Sequence, residues 1–224
     1  MREDSLYRRS YFDRIAELGT LVPESFQAFM EFDKQALRPG LLSGKVKELI
    51  AIAVAHITGC PYCIEVHVTN SKRLDVTKEE MAEAIMVATA LKAGSALAHS
   101  VNALNAYDNR SDDELYRSAY FQRMSELASL QADEFSAFLA FDQMALQDGV
   151  IGRREKELIA VACAHVTGCP YCIDLHTKAA KKEGISIEEL AEAIMVATAL
   201  KAGSALAHSV NAMQAYGRVE QIES

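Results

Sequence analysis

Lys47–His67 reads KELIAIAVAHITGCPYCIEVH, and Lys156–His176 reads KELIAVACAHVTGCPYCIDLH. Each is an apolar run that ends in glycine and opens onto a CPYC tetrapeptide with a histidine behind it. Two kinds of fold begin this way. In a thioredoxin-like βαβ arrangement the run is a strand, and a later strand brings a cis-proline opposite the cysteines. Here the second stretch is followed by no proline, Pro170 lying inside the tetrapeptide itself, and the first has Pro23 and Pro39 before its site and none after Pro61. The strand-borne proline is missing. By contrast, Lys45–Thr58 is rich in Ala, Leu, Ile and Glu and stops at Gly59, a natural helix C-cap, while Pro61 suits the first turn of a following helix. The motif predicts a CxxC carried between two helices.

Working outward, a shift of 109 residues aligns almost the whole chain with itself. LYRRSYF at Leu6–Phe12 meets LYRSAYF at Leu115–Phe121, whereas Arg14–Glu31 and Arg123–Ala140 have drifted apart. So long a period indicates two whole domains rather than solenoid units. The expected division is 1–109 and 110–224, joined near the polar connector DNRSDDE, Asp108 to Glu114. Within a copy the apolar spacing is helical: Phe26, Phe29, Met30 and Asp33–Leu37 recur at threes and fours after Pro23. Thr77 with Glu80, and Ser186 with Glu189, read as capping boxes. These boxes head AEAIMVATALKAGSALAHSVNA, which stands unchanged at Ala82–Ala103 and again at Ala191–Ala212. Gly94 and Gly203 inside it either break the helix or permit close packing. The fold expected is all-α, two tandem copies of five to six helices each, packed as a pseudo-dimer. The duplicated 22 residues are expected to meet their own copy across a pseudo-twofold axis, which demands one self-complementary patch from both partners.

The totals exclude several functions. The net charge of -8 and pI near 5.3 lack the basic footprint of a nucleic-acid binder. The N-terminal MREDSLYRRSYFDRI is charged throughout, unlike a secretory signal. The apolar runs read as too short, or interrupted at Lys92, to span a bilayer. A cytoplasmic protein with no membrane partner is the expectation. Five cysteines in such a chain point to catalytic or metal roles rather than a disulfide framework. Cys163, opposite Val54 in the other copy, reads as a small apolar core residue.

Each copy carries one constellation, E-x11-C-x2-C-x3-H: Glu48, Cys60, Cys63 and His67, then Glu157, Cys169, Cys172 and His176. At a helix start, cysteines three apart come within disulfide reach. The free N–H groups and partial positive charge there favour thiolate. A histidine one turn below Cys63 can take its proton. Such surroundings commonly lower a thiol from about 8.5 to roughly 3.5–7.5. Glu48, in the preceding helix, either relays protons through His67 or is simply an acid favoured near a helix start. His56 and His99, with their counterparts His165 and His208, are candidate members of the surrounding network or ordinary core and interface histidines. Zinc held by Cys, Cys, His and Glu is the non-enzymatic alternative, a metal-stabilised helical binding module. Haem attachment is excluded, because Ile64 and Ile173 stand where its histidine must be. No cofactor or metal is expected.

These two stretches resemble the signature of the alkylhydroperoxidase D branch of the carboxymuconolactone decarboxylase superfamily, and the likeness covers most of each copy. The departure is Pro61-Tyr62 between the cysteines, where the best-known member has a histidine. The resemblance implies an all-helical fold and a thiol peroxidase or disulfide reductase, with catalytic roles for Cys60, Cys63, His67 and Glu48 and for Cys169, Cys172, His176 and Glu157. It also implies a dithiol electron donor, a lipoyl-bearing protein among the candidates, and assembly of three chains into a ring with six sites. Two orders of attack on a hydroperoxide are open: Cys63 attacks and Cys60 resolves, or the reverse. The superfamily's lyase branch is the alternative, but it needs cationic groups to hold a dicarboxylic lactone and has no use for paired cysteines.

Overall fold

The computed structural model describes residues 5–110 and 113–220, which form helices without a strand among them. Ser111 and Asp112 of the connector lie outside the described residues, as do Met1–Asp4 and the last four. The first copy contains a short 3-10 helix, Arg9–Arg14, then α1 (Ile15–Leu21), α2 (Pro23–Leu37), α3 (Gly44–Thr58), α4 (Pro61–Lys72) and α5 (Lys78–Tyr107). The second repeats the order: a 3-10 helix, Ser118–Arg123, then α6 (Met124–Leu130), α7 (Ala132–Leu146), α8 (Arg153–Thr167), α9 (Pro170–Lys182) and α10 (Ile187–Glu220). Five α-helices per copy agree with the periodicity.

Local chemistry explains the boundaries. Gly59 and Gly168 end α3 and α8 in the left-handed conformation, φ 69° and 70°, which a side chain would disfavour. Pro61 and Pro170 start α4 and α9, with Cys60 and Cys169 as their N-caps. Both capping boxes are formed, in each case with the hydroxyl accepting from the glutamate N–H and the glutamate accepting in return. The 30-residue α5 runs straight through Gly94, so the glycine serves close packing. A Cβ on Gly94 would sit 3.4 Å from the Phe138 ring, and one on Gly203 would sit 3.5 Å from Phe29.

The core belongs to both copies at once. Helices α3 and α8 pack on each other, and α5 and α10 each pack on both of them. That is why α3 is buried on every side from Lys47 to Ala55, instead of showing one wet face. The outer helices cross over: α2 lies chiefly on α10 and α7 on α5, while α4 touches α10 and α9 touches α5. The 22-residue duplicate is thus an interface helix, but it does not chiefly meet its own copy. Helices α3 and α8 meet across the axis, and each duplicated helix faces the other copy's α8 or α3. Contiguous apolar segments decided the pairing: residues 49–55 and 158–164 are apolar and buried at every position, and bringing these two segments together removes that surface from water.

Helices α5 and α10 are also long and apolar enough, by length and composition, to cross a bilayer, contrary to the expectation from their interrupted runs. Here they serve as central helices, and their most apolar stretches are partly buried inside the fold.

Candidate active site

Cys169 is the N-cap of α9, and its sulfur accepts from the Cys172 N–H at 3.3 Å; Cys60 and Cys63 repeat the arrangement at 3.2 Å. The helix start therefore folds each pair together. Cys60 and Cys63 form a disulfide with Cα atoms 5.3 Å apart. Cys169 and Cys172 are a dithiol in which the Cys172 thiol donates to Cys169 Sγ at 2.7 Å. The two sulfurs of a pair differ in access. Cys60 and Cys169 are 0% exposed, whereas Cys63 and Cys172 are 8% and 7% exposed. The donated thiol proton, the Cys172 N–H, His99 and Ser95 together outweigh burial and hold Cys169 down to about 6, and the same hydrogen bond with burial pushes Cys172 up. The charge of the dithiol rests on Cys169.

Behind the cysteines, α3 and α8 each supply a glutamate. Glu48 Oε2 lies 2.8 Å from His67 Nδ1, and Glu157 Oε2 lies 3.0 Å from His176 Nδ1. Both carboxylates are buried, at 7% and 2% exposure. Glu48 is therefore a histidine partner and not a solvent-facing first-turn acid. With Nδ1 donating to the carboxylate, Nε2 keeps a lone pair for proton exchange.

The remaining sequence candidates separate. His99 Nδ1 is 2.7 Å from Ser95 O and His208 Nδ1 is 2.7 Å from Ser204 O, and both rings face the opposite copy. His99 meets Tyr116 edge-on, and His208 meets Tyr7. His56 and His165 bond the carbonyls of Ile52 and Val161. They line separate surface hollows beside Lys92 and Lys201, so His56 stays apart from the Glu48–His67 pair although it lies eight residues beyond Glu48 on the same helix. Eight residues advance a helix by about 80° beyond two full turns, enough to turn the ring away.

A cavity of about 230 Å³ opens at Cys172. Its walls come from both copies: Leu91, Gly94 and Leu97 of α5 on one side, Phe135, Phe138 and Tyr171 on the other. His176 and Asp142 bring polar groups to the apolar lining. Asp142 and its counterpart Asp33 were not singled out as site residues from sequence. The signal existed, since Asp33 lies on the apolar stripe of Phe26, Phe29 and Met30, where a carboxylate needs a reason. Among the described residues no group of three or more His, Cys, Asp or Glu is placed to hold a metal ion.

Fold and site together define a class: an all-helical protein made by duplication, with a buried glutamate–histidine pair behind a helix-capping cysteine pair in each half. Residues 23–106 and 132–215 each match the Carboxymuconolactone decarboxylase family, and the chain belongs to that family. Uncharacterized protein 4 in cox locus of Paracoccus denitrificans is 41% identical over 97 residues, covering 87% of that protein and 43% of this chain. An uncharacterized protein of Haemophilus influenzae is 38% identical over 91 residues, covering 80% of it and 41% of this chain. Both relatives are about one copy long. A crystal structure of a candidate gamma-carboxymuconolactone decarboxylase subunit from Burkholderia xenovorans superposes with a TM-score of 0.64 over 95% of this chain and 96% of that one, at 17% identity, and so shares the fold.

Proposed function

We propose that the chain is a thiol peroxidase that reduces an organic hydroperoxide at each CxxC and is recharged by a dithiol donor. One observation carries this reading: Cys172 lines an apolar cavity while its thiol donates to Cys169 Sγ at 2.7 Å. Cys172 attacks the O–O bond as its proton passes to Cys169. The bond breaks, an alkoxide leaves with the electron pair, and Cys172 becomes a sulfenic acid. Cys169, losing its proton again, attacks that sulfur, and hydroxide departs as water after protonation. One thiol, one thiolate, one hydroperoxide and one further proton become one disulfide, one alcohol and one water. Glu157 holds the His176 ring at the wall of the same cavity. The dithiol donor then regenerates the pair by two successive exchanges.

Exposure supports the order with Cys63 and Cys172 attacking, though the reason is access rather than the proximity of histidine alone. The lyase alternative lacks support here, since among the described residues neither lysine nor arginine lines the cavity. Trapping with a sulfenic-acid reagent tests the order. Cys60→Ser with Cys169→Ser should yield about two trapped sulfenic acids per chain after one equivalent of cumene hydroperoxide per site. Cys63→Ser with Cys172→Ser should yield none. A wild-type chain whose thiols survive cumene hydroperoxide would defeat the peroxidase reading.

A further inference from the structure

Reduction of a hydroperoxide needs a proton delivered to the departing alkoxide, and the cavity is short of sources. The Cys172 proton goes to Cys169, which is fully buried behind it. His176 Nδ1 lies 3.0 Å from Glu157 Oε2, which ties that ring nitrogen to the carboxylate behind it. Helix α7 presents Phe135, Phe138, Leu139 and Asp142 to the cavity at the spacing of one helical face. Asp142 is that face's single carboxyl group. Among the described residues neither Asp142 nor Asp33 has a hydrogen-bond or ion-pair partner, although both are half-buried.

We propose that Asp142, and Asp33 in the first copy, is the general acid that protonates the leaving alkoxide, a role resting on the peroxidase reading above. Burial raises the Asp142 carboxyl above its ordinary range; His176 pulls against this and Glu157 adds to it, and Asp33 stands likewise between His67 and Glu48. A carboxyl that keeps its proton more readily also suits its position beside the nucleophile, because a carboxylate there opposes negative charge on Cys172. Once the proton has gone to the alkoxide, the carboxylate recovers one from solvent through the open side of the cavity. The remaining hydroxyl on this wall is that of Tyr171, whose proton burial makes harder to release.

The test follows one turnover of the reduced full-length chain with peroxides of graded leaving group, from cumene hydroperoxide, which expels a basic alkoxide, to substituted perbenzoic acids, which expel weakly basic carboxylates. In Asp33→Asn with Asp142→Asn, oxidation by cumene hydroperoxide should slow on the order of 10²–10³, while oxidation by perbenzoic acids changes less than about threefold. Asp33→Glu with Asp142→Glu should restore part of the loss. Equal slowing with every peroxide, no slowing at all, or a steepened dependence on leaving group in Tyr62→Phe with Tyr171→Phe instead, would overturn the assignment. A wild-type chain inert to every peroxide would defeat the peroxidase reading itself, and the acid role with it.

Discussion

Lys156 Nζ lies 3.0 Å from Glu83 Oε2, a buried lysine of the second copy paired with a carboxylate of the first. Glu83 also accepts from the N–H groups of Val150 and Ile151. Glu192 repeats this with Lys47, Leu41 and Leu42. Both glutamates belong to the duplicated 22 residues, and so do several other groups that cross over. Asn102 donates to Leu115 O and Asn211 to Leu6 O; Gly94 and Gly203 pack on Phe138 and Phe29; Ser95 and His99 act on Cys169. A residue type that must fit the other copy at so many points has little freedom, which accounts for the unchanged duplicate.

Glu83→Gln with Glu192→Gln should therefore destabilise the chain. Each change leaves a buried lysine without its counter-charge, which costs about 2–4 kcal/mol per site for partly wet pairs of this kind. Urea unfolding at pH 7 measures it. Burial alone would raise both carboxyls, but the backbone N–H groups and lysines outweigh it and hold them below the ordinary range. Their contribution is complete above about pH 4.3, the unfolded value, and is lost as pH falls through the depressed folded values. The double variant should show a shallower loss of stability below pH 4.3 than the wild type.

Thiol counting gives the second expectation. The fully reduced chain holds five thiols, and cumene hydroperoxide should remove four. Cys163 should stay reduced, because it is fully buried and burial pushes its thiol far up, leaving almost no thiolate to react. Loss of the fifth thiol in the folded state would contradict its core position.

A cross-copy effect is the third. In a chain carrying Cys60→Ser and Cys63→Ser, the thiolate absorbance at 240 nm should rise with a midpoint at about 6, set first by the Cys172 hydrogen bond and then by groups that include His99 and Ser95. Ser95→Ala and His99→Ala, changes in the first copy, should move that midpoint upward. Ser204→Ala and His208→Ala should leave it in place, since those side chains face the other site. A midpoint unmoved by Ser95→Ala and His99→Ala would mean that the crossing is structural only.

The fourth concerns the halves. A fragment of Met1–Asn109 should self-associate, because α2 of this copy rests on α10 of the other and α3 is enclosed by α8 and α10. Light scattering should find a dimer or a multiple of it, with α3 protected from hydrogen exchange. A stable monomeric fragment would contradict the shared core.

Much of this molecule is written locally. Gly59, Pro61 and the Thr77–Glu80 and Ser186–Glu189 boxes mark where helices stop and start because those effects act within one turn of backbone. The 109-residue shift reveals the duplication, and the E-x11-C-x2-C-x3-H spacing assembles each Glu–Cys–Cys–His set, since two helices joined at Gly59 must fold back on each other. What tertiary structure alone decided is who completes each site. Nothing within one turn of His99 says that it faces Cys169 of the other copy, or that His56, on an apparently suitable helix, faces away. Asp142 gains its meaning only when α7 crosses over to help enclose the cavity at Cys172. Those outcomes depend on which apolar faces pair most completely, and burial is a property of surfaces brought together from distant parts of the chain.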